Sequence, residues 1–312
     1  MAVHKSFLSL FLYVLVFVAL LVPSARAQDE KKIKIVASFS VLGDMIEQIG
    51  GNLIDLTVLV KAGQEAHGFQ PKPQDAKKVA EAEIVAINGL KLEGWMGRLI
   101  EASGTKAKLL VASKGVKPRL LEITHEGHHH AHSSGEVLAD PHAWQDLKKG
   151  QLYAKNIAVA LIEARPTQKK EIKKRYHAYV SEMKKLDAKM RADFALIPQE
   201  KRKVITSHDA FGYFGAAYGV TFIAPVGISS EAEASATDIV KIIEQIKKEG
   251  VHVLFVESLV SPRLIEQIAK DTGAHVGGTL YADTLSLPDG EAPTYLDMFK
   301  HNAKKMLKAM RL

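Results

Sequence analysis

The sequence predicts an α/β protein of two lobes, each a parallel sheet with flanking helices, joined by one long rigid helix with a cleft between the lobes. Three observations point to that plan. The chain has 312 residues, more than one hydrophobic core usually organises. Strand-like and helix-like segments alternate in two separate sets, the pattern of βαβ units. Between the sets lies an unbroken amphipathic stretch with no glycine or proline, the mark of a single long helix.

At the N-terminus, His4 and Lys5 precede an apolar run from Phe7 to Leu21, and Pro23-Ser24-Ala25-Arg26-Ala27 carries a small-x-small pattern. Residues 1–27 therefore read as a signal peptide cut after Ala27. The run is short for a membrane span, and no later segment approaches the ~20 apolar residues that a span needs. The chain has no cysteine, which excludes disulfides and lipid attachment through an N-terminal cysteine. The expectation is a soluble periplasmic protein.

The first lobe is expected over 28–165. Its strands are Ile33–Ser38, Ile54–Val60, Ile84–Asn88 and Lys108–Val111, with helices after Val41, Pro73 and Glu93. The linking helix spans 166–198. In it Ile172, Tyr176, Tyr179, Val180, Met183, Leu186, Met190 and Phe194 recur at three- and four-residue steps, Thr167 offers an N-cap and Pro198 closes the segment. About 29 helical residues would run roughly 43 Å. The second lobe, 199–312, repeats the alternation. Its strands are Lys203–Ser207, Val220–Ala224, Val253–Glu257 and His275–Leu280, with helices near Phe211–Tyr218, Ser235–Glu249, Pro262–Thr272 and Pro293–Ala309.

Charge excludes one class of partner. The formal net charge is +7, but the basic excess lies in stretches such as Lys169–Arg175, where lysine and glutamate share a solvated face without interleaved aromatics. That is not a nucleic-acid surface.

Histidine carries the functional signal. His125, His128, His129, His130 and His132 crowd into one short segment. So many imidazoles could not all be satisfied in a core, and imidazole is the commonest ligand for zinc and its neighbours. A solvated loop without a role remains the bland alternative. The isolated residues His67, His142, His208 and Asp283 each lie just beyond a strand C-terminus, the side of a parallel sheet on which ligands bind. Singly, each is equally an ordinary loop residue. Together they form a tetrahedral set of three imidazoles and one carboxylate.

The equal spacings His67 to His208 and His142 to Asp283 suggest a duplicated site. Val36–Gly43, however, aligns with Ile205–Gly212, which pairs His208 with Phe39. Any repeat is architectural, and the ligands come from non-equivalent loops. Of the other histidines, His177 and His301 are expected on solvated helix faces, and His252 and His275 at strand starts in structural roles. Trp95 and Trp144 are expected to wall or underlie the cleft. Glu257, at a strand end, is the acidic residue that could also face the site, while Glu231 and Glu233 read as loop or cap residues.

Five segments carry a resemblance: Asn88–Trp95, Asp140–Trp144, Thr206–Phe214, Val256–Ser258 and Tyr281–Ser286. In combination they are similar to the zinc and manganese solute-binding proteins of ABC importers, the ZnuA and TroA type, from about Ile33 onward. The resemblance implies one metal between two lobes, bound by His67, His142, His208 and Asp283. It implies a histidine-rich loop that collects or senses metal, and as partners an inner-membrane permease with its cytoplasmic ATPase. A monomer is expected. Manganese-type members often place glutamate where His208 stands, so the cargo expected is Zn2+, with Mn2+ the alternative. Members of the family usually approach the first ligand through Pro-His or Asp-x-His, whereas here Ala66 precedes His67 and Glu65 sits two positions back, and Glu65 reads as a supporting group rather than a ligand. A zinc hydrolase is the rival class, but catalytic zinc keeps a position open for water, whereas four protein ligands close the shell. No enzyme motif is present, and an adhesin borrowing the fold would be expected to add anchoring or appended segments.

Overall fold

Four strands near the N-terminus pair in parallel: β1 (Ile33–Phe39), β2 (Ile54–Val60), β3 (Ile84–Ile87) and β4 (Lys108–Val111), in the order β2-β1-β3-β4. The computed structural model describes residues 31–121, 138–225 and 236–312. The expected signal segment 1–27, the histidine run 125–132, Glu231 and Glu233 lie outside the described residues. Central strand β1 is buried on both faces, which explains its continuous apolar sequence. Helices α1 (Ser40–Gly50), α2 (Pro73–Glu81) and α3 (Met96–Ser103) connect these strands. Helix α2 starts where the sequence indicates, with Pro73 in its first turn and the Asp75 carboxylate accepting the Lys72 N–H at 2.9 Å.

A short antiparallel pair follows, β5 (Leu120–Leu121) with β6 (Leu138–Ala139). Helix α4 (Leu147–Ala164) is capped by Asp146, whose side chain accepts the Lys148 N–H at 2.8 Å. Helix α5 (Lys169–Ala195) is the long helix, about 40 Å from its 27 residues at 1.5 Å each. It starts later than expected. Thr167 lies inside a preceding 3-10 turn, Pro166–Gln168, and Gln168 is the α-helical N-cap. Its buried stripe, Ile172, Tyr179, Val180, Met183, Asp187, Met190 and Phe194, includes one charge. Asp187 is accommodated there because Arg191 pairs with it at 3.0 Å and Tyr218 donates to it at 3.1 Å.

The second sheet contains β7 (Lys203–Ile205), β8 (Thr221–Ile223), β9 (Val253–Glu257) and β10 (His275–Leu280), all parallel, in the order β10-β9-β7-β8. Read from the other edge, this is the strand order of the first sheet, so the repeat is one of architecture. Helices α6 (Gly212–Tyr218), α7 (Ala236–Glu249), α8 (Arg263–Thr272) and α9 (Tyr295–Met310) complete it. Gly277 lets β10 pack tightly: a Cβ there would meet Phe255 at 2.5 Å and Ala309 at 2.9 Å. The strand's register shifts at this point, between Val276 and Thr279.

The main core crosses from one sheet to the other. It includes Ile35 and Phe39 of β1, Val204 of β7, Phe255 of β9, and the inner faces of α4, α5 and α9. A smaller core, with Ile205, Leu254, Ile242, Ile246, Ile265 and Ile268, lies under α7 and α8. Helix α5 packs on α1, α4, α6 and α9, so the expected stiff connection is also a wall shared by both lobes. Residues Ile33 to Leu312 form one compact unit.

Candidate metal centre

Each of the four residues singled out in the sequence is held by its backbone before its side chain is aimed. His67 lies in the loop after β2. There the Trp95 indole N–H donates to the Ala66 carbonyl at 2.9 Å, and the His67 N–H donates to Glu65 Oε1 at 2.9 Å. Asp283 follows β10, where Trp144 Nε1 and Gln145 Nε2 both donate to the Ala282 carbonyl, at 3.0 and 2.8 Å. The two tryptophans therefore do pack beneath the cleft, and each fixes the residue preceding a candidate ligand.

His142 differs from the expectation in one respect: it follows β6 of the small antiparallel pair rather than a strand of either parallel sheet. Its support is the Asp140 carboxylate. Oδ1 accepts the His142 backbone N–H at 2.9 Å and faces Nδ1 at 2.9 Å, while Oδ2 pairs with Arg119 at 2.9 Å. Behind it, Asn88 Nδ2 donates to the Pro141 carbonyl at 3.0 Å. Asn88 sits at a turn in which Gly89, Leu90 and Lys91 all have positive φ, 84°, 54° and 66°. Non-glycine residues pay about 1 kcal/mol or more each for that conformation. The turn persists because buried Glu93 accepts the N–H groups of Asn88 and Gly89 and the Ser38 hydroxyl. Burial pushes the Glu93 carboxyl up, against those hydrogen bonds.

His208 follows β7 and is supported from the neighbouring strand β9. Its backbone N–H donates to Glu257 Oε1 at 2.9 Å, and its Nδ1 lies 2.6 Å from Glu257 Oε2. The second contact has ion-pair distance, but its angle falls short of a hydrogen bond. With carboxylates facing Nδ1 of His142 and of His208, both rings direct Nε2 inward, the arrangement by which an outer carboxylate sets the tautomer of a metal-binding histidine.

The inward atoms converge. His67 Nε2 is 3.3 Å from His142 Nε2 and 3.5 Å from Asp283 Oδ2. Asp283 also lies 3.4 Å from His142 Nε2 and 3.1 Å from His208 Nε2. One donor atom from each of His67, His142, His208 and Asp283 lies within 4.8 Å of all the others. Metal bonds of 2.0–2.2 Å in a tetrahedron place ligand atoms about 3.3–3.6 Å apart, close to these spacings. His208 Nε2 and Asp283 Oδ1 are buried without a hydrogen-bond partner. Such atoms cost about 1–3 kcal/mol each, and a cation among them removes the cost.

Electrostatics fits a cation. Burial pushes the His208 imidazole down, but the carboxylates of Glu257 and Asp283 outweigh it and hold its pKa well above the usual value. Burial likewise opposes His67, which Asp283 and Glu65 raise. Burial would raise Asp283, yet His142, His208 and His67 hold it well below the carboxylate range.

Two expectations for outlying groups are corrected or sharpened. His301 is buried rather than solvated, because the face of α9 that carries it packs on β10, where its Nε2 meets the Thr279 carbonyl at 2.9 Å. Glu257 is a direct support of His208. His177 is exposed as expected; His252, just before β9, and His275, at the start of β10, stand at strand starts as expected but are exposed rather than structural.

Two parallel-sheet lobes enclosing three imidazoles and a carboxylate define a metal-binding protein of the two-lobed, solute-binding class. The chain belongs to the family described as zinc-uptake complex component A, periplasmic, which residues 35–309 match. It is similar to the manganese ABC transporter substrate-binding lipoprotein PsaA of Streptococcus anginosus, 33% identical over 309 residues and covering 97% of each chain. It is also 33% identical to the iron ABC transporter substrate-binding lipoprotein MtsA of Streptococcus pyogenes serotype M1, over 96% of each chain. Among solved structures, the Mn-bound periplasmic metal-binding protein of Candidatus Liberibacter asiaticus is similar in fold, with a TM-score of 0.79 and 27% identity over 90% of this chain and 100% of that one. The family and the two streptococcal relatives are substrate-binding components of transporters, not enzymes.

Proposed function

We propose that the protein is the periplasmic carrier of an ABC importer, binding one divalent transition-metal ion through His67, His142, His208 and Asp283 and presenting it to an inner-membrane permease with its ATPase. The observation that carries this reading is the convergence of four donors from four separate loops, with two buried atoms lacking any other partner. Four protein donors close the coordination shell, which suits carriage rather than hydrolysis. The carrier acts as a monomer, exported by residues 1–27, and the histidines at 125, 128, 129, 130 and 132 raise the local metal concentration without joining the shell.

Zinc is the cargo proposed first, because three imidazoles suit zinc and a carrier of manganese would use more carboxylate. Manganese is the second reading, favoured by the manganese-named relative and the Mn-bound structural neighbour. In vitro affinity does not separate the two, since a nitrogen and oxygen site binds zinc more tightly than manganese whatever its role. Growth does. A strain lacking the protein should grow poorly under metal chelation and recover with zinc at about micromolar concentration, the scale of ordinary carrier affinities. Recovery with manganese alone would reverse the order of the two readings.

A further inference from the structure

A narrow cavity touches the ligand set from one side. It is lined by Glu65, His208, Glu257, Ser258, Leu259, Val260, Ala282 and Asp283 and holds about 10 Å³, room for about one water-sized particle. Its rim, Glu65 and Ser258 to Val260, is half-buried, whereas the side chains of His142, His208 and Asp283 are at most 3% exposed. Two further carboxylates line it, Glu65 at the half-buried rim and Glu257 at the buried end beside His208. Glu257 is almost fully buried, with Oε2 lacking a hydrogen bond, and Glu65 belongs to the loop that carries His67.

We propose that this cavity is the port through which the ion reaches the four donors, and that Glu65 at its rim is a transient first contact for a divalent cation on its way in, with the buried charge of Glu257 adding to the field inside. The inference rests on the metal-carrier reading above. An ion arriving from solvent meets carboxylate oxygen first, which takes cations without demanding a fixed geometry, and then exchanges it for the imidazoles beyond. Carboxylates around a constricted, low-dielectric opening concentrate cations and speed association. On this account they set the rate of loading. The four inner donors set how long the ion stays.

The test separates rate from affinity. Metal-free full-length protein is mixed with zinc chloride in a stopped-flow instrument, followed by the fluorescence of Trp144, whose ring centroid is 5.2 Å from that of His142. Two variants are compared with the unaltered chain. Glu65→Gln removes one charge while keeping an oxygen to accept the His67 N–H, and Leu259→Lys places a cation on the rim without touching a ligand. Each should slow association several-fold at low ionic strength. The loss should shrink as salt screens the port, since the Debye length falls from about 30 Å at 0.01 M to about 8 Å at 0.15 M. Dissociation from Leu259→Lys should be unchanged. Unaltered association in both variants, with one-to-one binding retained, would overturn the port. Absence of one-to-one binding by the unaltered chain would instead overturn the carrier reading on which it rests.

Discussion

His142 and His208 perform the same task with different support. Each ring faces a carboxylate with Nδ1 and sends Nε2 inward, yet Asp140 shares its charge with Arg119, while Glu257 faces only His208 itself, with no lysine or arginine paired to it among the described residues. Asp140 stands two residues from its histidine and binds both its ring and its backbone. Glu257 reaches His208 only because β7 and β9 are neighbours in the second sheet. The first support is local and electrically balanced. The second is assembled by the fold and leaves a buried negative charge beside the site. The contrast indicates that the second lobe contributes more of the field that draws a divalent ion, and the first more of the rigidity.

The largest expected effect comes from the donors themselves. His142→Ala or His208→Ala should abolish tight one-to-one zinc binding in a titration of purified protein, and Asp283→Ala should weaken it at least tenfold. If either histidine variant bound at full strength, the two rings would not be equivalent ligands and the comparison would lose its basis.

Next come the supports. Glu257→Gln should weaken binding by about 10–100-fold, the usual cost of removing a carboxylate behind a metal-bound histidine. Arg119→Ala, which leaves Asp140 in contact with His142, should change affinity by only a few-fold. Equal losses in a competition assay against a chelator would show that the buried charge on Glu257 has no special weight.

A smaller and gradual effect is expected from pH, with opposite signs for the two forms. The raised pKa of His208 stabilises the folded metal-free protein most fully below the ordinary histidine value of about 6.5. That contribution is lost as pH rises through the raised value. Metal binding must displace the same proton, so affinity should fall as pH drops through that window. Thermal midpoints measured from pH 6 upward should therefore decline for the metal-free protein while the zinc-induced increment grows. The slope of the metal-free curve should flatten in His208→Gln. Parallel slopes would mean that Glu257 does not hold a proton on its histidine.

The same comparison explains what was legible in the sequence. The two lobes followed from alternating apolar runs, and the long helix from its three- and four-residue spacing. The four donor residues could be chosen because each lies in a loop after a strand. Asp140 was readable as part of the Asp-Pro-His-Ala-Trp run, being adjacent in sequence. Glu257 is recognisable in the sequence as an acidic residue at a strand end near the site, but its hold on His208 and the roles of Asn88 and Glu93 are not. They depend on which strands become neighbours and on a left-handed turn at Leu90 and Lys91 that no local preference favours. His301 was misplaced for a related reason: α9 buries more of its circumference than an exposed amphipathic helix does, including His301, Asn302 and Ala303. Thr167 looked like a cap, but a 3-10 turn intervenes before the α-helix begins.

The four-residue metal site is tested most directly by anomalous diffraction from crystals of the zinc-loaded protein, collected on both sides of the zinc absorption edge. One full-occupancy peak should lie among Nε2 of His67, His142 and His208 and a carboxylate oxygen of Asp283, at bond lengths of about 2.0–2.2 Å. A peak elsewhere, or one at this position lacking any of the four residues as a ligand, would contradict the account.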